Sequence, residues 1–265
     1  MSDADETLRD FHRRWAQLRA PQRPPPAVVG AMRALLADRE GLALQLGVTP
    51  EIAVLPERSI AVDWNPQMIA IAWPGGGSWR RPVIGDWNAL PIRDHSVDSA
   101  FGDGSLTMLR WPDQYRLVLE RLAEIVRPGG RVVLRCFVTP EPGESVESLC
   151  AEVWEGRAGS FPAFKMRFNM AVGVDTGGIN TISDHIHQAF SARFPDREAL
   201  GRATGWTLGD IGEIDSYRGS AFSHSYPPRD AIMATLPAPL RSARFIETGG
   251  YELAERCPLL VIDFA

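Results

Sequence analysis

The 265-residue sequence has few cysteines and lacks a long apolar run. Its three cysteines, Cys136, Cys150 and Cys257, have no metal-like spacing, and their odd number does not suit a disulfide framework. Because no signal peptide is recognisable, the sequence predicts a protein of the reducing cytoplasm without a metal site. No apolar stretch approaches the roughly 20 residues that a helix needs to cross a bilayer, so no membrane partner is expected.

An excess of basic residues is also missing. Lysine and arginine together number 28 against 33 aspartates and glutamates, which gives a formal net charge of -5. A nucleic-acid partner requires clustered positive charge, so the composition argues against one. The Gly-x-Gly-x-x-Gly turn of dinucleotide-binding folds is absent as well, which disfavours a nicotinamide-dependent dehydrogenase.

Two aspartates stand out among the residues that are present. Asp63 and Asp86 each close a short apolar run, and each is followed by a tryptophan, Trp64 or Trp87. Such runs are typical of buried parallel strands, whose carboxyl ends form the ligand-binding edge of open α/β sheets. One carboxylate then suits the vicinal hydroxyls of a ribose, the other suits an exocyclic amine, and an indole suits a flat base. The alternative, two solvated loop aspartates, remains open here.

Strand and helix patterns alternate along the first half of the chain, and a strand pattern returns at its end. The predicted strands lie at 41–46, 59–63, 83–84, 97–101, 131–137 and 259–264. The predicted helices among them lie at 27–37, after Pro66 and at 113–126. A turn is predicted at Arg127–Gly130, before the fifth strand. The simplest architecture is a single α/β sheet with an inserted helical cap.

Composition and pattern divide the chain into three predicted parts. Residues 1–40 form an N-terminal helical lid, 41–138 and 205–265 form the sheet domain, and 139–204 form a helical cap. The cap is dense in aromatic residues, which either line a pocket or form the cap's own small core. Trp15 of the lid either folds over a bound ligand or packs on the sheet, and the sequence leaves both open.

The order of these elements resembles one known family. A strand ends near Gly47, a strand ends at Asp63, Gly85–Pro91 follows a third strand, and Arg127–Gly130 precedes a fifth. This order resembles the Rossmann-like, class I, S-adenosylmethionine-dependent methyltransferases over roughly residues 40–138 and a final strand pair. The resemblance implies a doubly wound, mostly parallel sheet of about seven strands, the last one antiparallel, with helices on both faces. It also implies S-adenosyl-L-methionine as the cofactor.

Carried over residue by residue, the resemblance assigns the nucleoside half of the cofactor. Asp63 is expected to hold the ribose hydroxyls, and Asp86 is expected to accept from the adenine amino group. Trp64 and Met68 are expected to flank the adenine. The backbone amide of Trp87 is expected to donate to a ring nitrogen.

The methionine half is assigned in the same way. The segment Gly102-Asp103-Gly-Ser105 is expected to lie under the methionine portion, with Asp103 paired to its ammonium. The family's glycine-rich first turn is degenerate here, since only Gly47 remains. Thr49 offers a hydroxyl donor in its place, while Glu51 is expected to repel a nearby carboxylate.

The candidates for proton transfer to or from an acceptor lie in the predicted cap. Asp184 and His185 are adjacent, His187 follows two residues on, and Asn169 lies on an earlier helix. Residues two apart on a helix do not share a face, so at most one of the two histidines is expected to point into a cleft. Asn169, Asp184 and His185 are the predicted catalytic residues. The alternative is that both histidines are ordinary surface or core-edge residues.

The sequence therefore favours an S-adenosylmethionine-dependent methyltransferase that acts on a small-molecule acceptor, with a homodimer left open. Two other hypotheses remain. With its first turn altered, the site could hold the sulfonium so that the amino acid chain is displaced or cyclised and methylthioadenosine is released. The chain could also be a non-catalytic, methyltransferase-like subunit that binds a partner.

Overall fold

The computed structural model describes residues 18–75, 77, 79–237, 240 and 242–264. Residues 1–17 of the predicted lid, with Trp15, lie outside the described residues. The strands are β1 Ala43–Leu46, β2 Ser59–Asp63, β3 Arg80–Ile84, β4 Val97–Asp103, β5 Val126–Arg135, β6 Asn180–Ile182, β7 Ser223–Ser225, β8 Arg244–Ile246 and β9 Leu259–Asp263. The helices are α1 Pro26–Leu36, α2 Pro50–Ala53, α3 Pro66–Ala72, α4 Asp113–Ile125, α5 Val146–Trp154, α6 Phe161–Asp175, α7 Ser183–Arg193, α8 Arg197–Thr204, α9 Leu208–Gly212 and α10 Arg229–Thr235.

The main sheet has seven strands in the order β3-β2-β1-β4-β5-β9-β8. The strands from β3 to β5 pair in parallel, whereas β9, the last strand of the chain, is antiparallel to both of its neighbours. The strand order reverses between β1 and β4, and this is the switch point at which open α/β sheets bind ligands. The predicted fold class, a Rossmann-like and mostly parallel α/β sheet, is confirmed.

Apolar residues on both faces of the sheet explain why the strands are buried. All four residues of β1 are buried, as expected for a central parallel strand covered by helices on each side. Helix α4 presents one buried stripe that includes Val118 and Leu122, and this stripe packs against Val132 of β5. On the opposite face, Val28 and Met32 of α1 pack with other core residues of the sheet.

The turn predicted at Arg127–Gly130 falls within the bounds of β5, where these four residues stand opposite Asp98 alone and Gly129 has a φ of +76°. The pairing of β4 with β5 shifts register between Val97 and Ser99, which marks an irregularity of the bulge type. A Cβ atom at Gly130 would lie 2.7 Å from the Asp98 carbonyl oxygen. The glycine therefore allows the two backbones to approach, and the strand continues where the sequence pattern indicates a turn.

A second apolar core lies outside the sheet domain and contains most of the aromatic residues noted above. Its rings contact one another at centroid distances of 5.0–6.5 Å, and the members include Phe161, Phe164, Phe168, Phe190, Phe194 and Trp206. These side chains are buried against each other, so they stabilise the cap rather than line a cleft.

A small antiparallel sheet, formed by β6 and β7, attaches this helical part to the sheet domain. The Trp111 backbone amide donates to Asn180 Oδ1 at 2.9 Å, and Asn180 Nδ2 donates back to the Trp111 carbonyl at 2.8 Å. The Ser225 hydroxyl lies 2.6 Å from the Leu109 carbonyl oxygen. Because the loop containing Leu109 and Trp111 follows β4, the small sheet of β6 and β7 lies at the carboxyl edge of the main sheet.

Substitution of Gly102 tests how closely β1 and β4 approach each other. An added Cβ atom would overlap the Ser105 hydroxyl and lie 3.1 Å from the Leu46 carbonyl oxygen. We therefore expect Gly102→Ala to lower the free energy of unfolding by about 1–3 kcal/mol in urea denaturation. The matched control is Gly30→Ala in α1, where nothing lies within 4 Å of an added Cβ.

In a helix interior, alanine is favoured over glycine by about 0.5–1 kcal/mol, so the control is expected to be neutral or stabilising. Equal losses of stability in the two variants would contradict the proposed packing at Gly102.

Candidate functional site

The site begins where β1 ends, between its neighbours β2 and β4. Leu46 pairs with Val62 on one side and with Gly102 on the other. The next residue, Gly47, has a φ of +83°, and a Cβ atom there would lie 3.3 Å from the Trp87 ring. Both the left-handed backbone and the close ring require glycine at this position.

The Asp63 carboxylate ties the ends of β1 and β2 together. The Val48 amide donates to Oδ2 at 3.0 Å and the Asn65 amide donates to Oδ1 at 2.8 Å. The residue is only 5% exposed. Burial raises the pKa of the Asp63 carboxyl, and the hydrogen bonds from Asn65 and Val48 oppose that rise. Each carboxylate oxygen retains a lone pair, so Asp63 can still accept from ligand hydroxyls.

The two predicted indoles differ in their surroundings. The Trp87 ring is buried, and its Nε1 donates to the Val62 carbonyl at 2.6 Å. Gly47 donates its amide to the same carbonyl at 2.8 Å. Trp64, in contrast, is 52% exposed and is available to cover a flat ligand. The side chain of Met68 packs with a small cluster that includes Val48 instead.

Asp86 stands at the end of β3, the neighbour of β2, and is exposed. Its Oδ1 accepts from the Asn88 backbone and side-chain nitrogens, both at 2.9 Å. Oδ2 has no such partner in the described part of the chain. A cleft of about 490 Å³ brings together Trp64, Asp86, Trp87, Asn88, Met108 and Phe222. The structure therefore places one exposed indole, one buried indole and one acidic group around a single cleft.

The segment expected under the methionine half is tightly bound to the rest of the protein. The Ser105 hydroxyl is buried and donates to the Leu46 carbonyl at 2.8 Å. Asp103 Oδ1 accepts from Arg135 Nη1 at 2.9 Å, and both side chains are almost completely buried. Burial raises the pKa of Asp103, and the charge of Arg135 opposes that rise.

Arg135 is a residue that the sequence reading missed. Its guanidinium also donates to the Pro21 carbonyl, and it lies over the rings of Phe137 and Tyr251 at 5.0 and 5.6 Å. It follows the apolar run of β5 directly, as Asp63 and Asp86 follow theirs, and that position was its only signal in the sequence. The predicted ammonium site at Asp103 thus already contains one positive charge.

The degenerate first turn lacks the long helix that usually follows it. Helix α2 has only four residues, and Thr49 precedes it without a side-chain cap hydrogen bond. Glu51 forms an ion pair with Arg23. The repulsion expected from Glu51 is therefore reduced by a positive charge that the sequence reading did not place there.

The three predicted catalytic residues do not converge. His185 is exposed on the outer side of α7. Asp184 accepts from the Gly219 amide at 2.7 Å and from the Gln188 side chain at 2.6 Å, so it stabilises a local turn. Asn169 is buried inside the cap, where its amide nitrogen lies 3.1 Å from the hydroxyl of Tyr226. Only Asn169 of these three belongs to an interior polar cluster.

Comparisons with known proteins agree with this geometry. Residues 45–134 match the sequence profile of a family described as a methyltransferase domain. No curated protein matches the chain significantly. The segment that carries Gly47, Asp63, Asp86 and Gly102 is therefore a methyltransferase domain of Rossmann-like fold, and this confirms the predicted resemblance. The domain implies S-adenosylmethionine as its cofactor.

Solved structures resemble the chain at low sequence identity. A putative zinc-dependent alcohol dehydrogenase from Rhodobacter sphaeroides aligns over 100% of both chains with 12% identity and a TM-score of 0.58. The apo form of the S-adenosylmethionine-dependent methyltransferase SibL aligns over 100% of this chain and 60% of its own, with 14% identity and a TM-score of 0.50. At these identities the likeness shows the fold alone.

A putative methyltransferase from Haloferax volcanii, solved in complex with the activator Trm112, aligns over 52% of this chain and 57% of its own. Its identity is 20% and its TM-score is 0.37. The present chain thus spans just over half the length of that relative. Within the described ranges, no helix is long and apolar enough for a membrane crossing, and no group of His, Cys, Asp or Glu residues could hold a metal ion.

The residues at the sheet edge fit an adenosyl ligand. Gly47 and Gly102 are both positions where a Cβ atom would fill the space against neighbouring groups, and Asp86 has an oxygen available in the adjoining cleft. When bound, S-adenosylmethionine supplies an activated methyl group on a sulfonium. Asp63 and Asp86 would hold its nucleoside half, and Asp103 with Thr49 would face its amino acid half.

The Arg135–Asp103 pair yields a stability prediction. Arg135→Met leaves the buried Asp103 carboxylate without its partner, and breaking such a pair costs roughly 3–5 kcal/mol of unfolding free energy. The double variant Arg135→Met with Asp103→Leu removes both charges and is expected to recover part of this loss. Urea denaturation followed by tryptophan fluorescence measures both variants. A double variant less stable than the single one would contradict a buried ion pair.

Proposed function

We propose that the protein transfers a methyl group from S-adenosylmethionine to a small-molecule acceptor. The observation that carries this proposal is the placement of Asp63 and Asp86 at the carboxyl ends of two neighbouring parallel strands, where the buried Trp87 indole donates to Val62, the residue before Asp63. A ribose diol and an adenine differ in the hydrogen bonds they require, and two acceptors beside an indole match both requirements. The methyltransferase profile covering this segment supports the same reading.

Each residue at the sheet edge has a defined task in this proposal. Asp63 accepts from the ribose hydroxyls through the lone pairs that Val48 and Asn65 leave unused. Asp86 accepts from the adenine amino group, and Trp64 covers the base. Asp103 faces the ammonium with the oxygen that Arg135 does not occupy. Catalysis then consists mainly of alignment and exclusion of water, because the methyl group is already activated.

We assign acceptor binding to the helical part of the chain. The predicted cap at 139–204, together with β7, stands over the carboxyl edge of the sheet through the contacts of Asn180 and Ser225 with the loop after β4. Phe222 and Ser223 line the cleft that also contains Trp64 and Asp86, so this part of the chain borders the proposed adenine site. The net charge of -5 supports a small acceptor over a nucleic acid.

Calorimetry with S-adenosylhomocysteine tests the acidic pair. Asp63→Asn and Asp86→Ala are each expected to weaken binding by roughly 10- to 100-fold, the worth of a hydrogen bond to a charged group. The control is Asp113→Ala, whose carboxylate is 88% exposed on α4 and lies outside the cleft. Unchanged affinity in both site variants would refute the assignment.

Product analysis with S-adenosylmethionine distinguishes the reaction types. Methyl transfer releases adenosylhomocysteine, whereas displacement or cyclisation of the amino acid chain releases methylthioadenosine. The altered first turn, in which Val48 and Thr49 are buried and α2 has four residues, is the feature that favours the second product.

A non-catalytic role is the second candidate, and the edge strand β3 favours it. Ile84 is 64% exposed, and Trp79, just before the strand, is equally exposed. An edge strand has unpaired backbone groups and can pair with another chain, including a second copy of this one. If this role is correct, light scattering is expected to show an assembly that Ile84→Lys dissociates, and calorimetry is expected to show no binding of S-adenosylhomocysteine. Binding of that ligand by a monomer would exclude this candidate.

A further inference from the structure

A group of aromatic and polar side chains around β7 and α6 shares only Phe222 with the cleft described above. Phe222, His224 and Tyr226 alternate along and just beyond β7, so they share one face of the strand. Lys165 and Asn169, four residues apart on α6, belong to the same group through Tyr217 and Tyr226. We call these five residues, together with Tyr217, the β7–α6 cluster.

Two hydrogen-bond acceptors in the cluster are without donors. Asn169 is 1% exposed, and its amide nitrogen donates to the hydroxyls of Tyr217 and Tyr226, both at 3.1 Å. Its carbonyl oxygen, Oδ1, is buried and accepts nothing. Neither ring nitrogen of His224 has a hydrogen-bond partner in the part of the chain that the structure describes. Leaving the buried Asn169 oxygen unsatisfied costs about 1–3 kcal/mol, and the half-buried His224 ring is open to a ligand that brings a donor.

The charges around His224 determine which kind of ligand can donate a hydrogen bond to it. Lys165 Nζ lies 3.4 Å from Glu213 Oε2 and 5.0 Å from the centre of the Tyr217 ring. Burial, and then the charge of Lys165, lowers the pKa of His224 to about 4. The imidazole is therefore neutral near pH 7 and keeps one nitrogen as an acceptor. Lys165 disfavours a cationic ligand in the same place.

The shape of the cluster favours a flat ligand. The His224 ring lies 5.0 Å from the Phe222 ring, 5.5 Å from Tyr217 and 6.2 Å from Tyr226. Phe222 and His224 are only half-buried, so part of this aromatic group is open to a flat ligand. An uncharged aromatic compound with a hydroxyl group combines a flat apolar body with the missing donor.

The cluster is continuous with the cofactor side of the protein. Phe222 lines the cleft that also contains Trp64 and Asp86. At the other end, Tyr226 belongs to an apolar cluster against which Phe137 packs, and Phe137 approaches Gly104, the residue after Asp103. A ligand in the β7–α6 cluster would therefore lie between the adenine cleft and the segment under the methionine half.

We propose that the β7–α6 cluster binds the methyl acceptor, that the acceptor is an uncharged aromatic compound bearing a hydroxyl group, and that His224 takes the hydroxyl proton. This inference rests on the proposed methyltransferase function. The hydroxyl oxygen forms a bond to the methyl carbon while the carbon–sulfur bond breaks, and that bond's electron pair stays on sulfur. The hydroxyl proton passes to the free nitrogen of His224, and the resulting imidazolium releases it to water.

Binding of a matched ligand pair tests the site without requiring turnover. The probes are 2-naphthol and 2-methoxynaphthalene, which share a ring system but differ in the hydroxyl donor. With the protein saturated by S-adenosylhomocysteine, calorimetry is expected to show at least tenfold tighter binding of 2-naphthol. His224→Phe is expected to reduce this ratio to within twofold, because it removes the nitrogen that accepts the hydroxyl proton, whereas Asn169→Leu keeps that nitrogen and is expected to keep the ratio.

The affinity for S-adenosylhomocysteine separates this test from the test of the proposed function. It is expected to stay within threefold of wild type in both variants, which also shows that they are folded. If adenosylhomocysteine binds to the wild type but the two naphthalenes bind equally or not at all, the cluster is not the acceptor site and the proposed function stands. If adenosylhomocysteine itself does not bind, the proposed function fails first.

The pH dependence of 2-naphthol methylation tests the proposed transfer of the hydroxyl proton to His224. In the wild type, kcat/KM is expected to stay within twofold between pH 6 and 8, because His224 is unprotonated throughout. In His224→Phe, only the ionised naphthol can react, so kcat/KM is expected to fall about 100-fold or more at pH 6 and to rise about tenfold per pH unit. A flat profile in the variant would overturn the role of His224 as base.

The charged and titratable groups near His224 that bear on this profile are Lys165, Glu213, Tyr217 and Tyr226. Burial raises the pKa of Glu213 and of Tyr226. Lys165→Met removes the nearest positive charge, and we expect it to raise the pKa of His224 and to shift the acid limb of kcat/KM to higher pH. An unshifted limb would contradict proton transfer to His224.

Discussion

The ligand-binding edge depends on one buried carboxylate. Asp63 accepts backbone amides from the turns after β1 and after β2, so its charge holds the two strand ends in register. The Trp87 indole completes this arrangement by donating to the carbonyl of Val62. Because Gly47 lies between the carboxylate and the ring, there is no room for a side chain there. In the proposed function, the two oxygens that accept these amides also accept from the ribose hydroxyls.

The opposite side of the switch point is built from charge pairs rather than from glycines. Arg135 neutralises Asp103 inside the protein, and Arg23 pairs with Glu51 beside the short helix α2. Together these four groups carry no net charge. This balance matters for a zwitterionic amino acid moiety, since an excess of either sign would repel one of its ends.

Much of the scaffold could be predicted from the sequence, because its signals are local. The five parallel strands and α4 follow from apolar runs and helical spacing, and β2 and α4 agree with the predicted bounds within one residue. The glycine pair at Arg127–Gly130 predicted irregular backbone but not its position inside a strand, because such a pair suits both a turn and a bulge. The choice depends on the backbone of β4, at Asp98, which is distant in the sequence.

The sequence by itself determined the strand order along the chain and the positions of Asp63 and Asp86 at two strand ends, since both depend on neighbouring residues. Only the tertiary structure decided that Asp103 meets Arg135, that β6 pairs with β7, and that His224 rather than His185 lies in an interior cluster. These contacts join residues tens of positions apart. They arise from the path of the chain through the cap, and no local periodicity encodes that path.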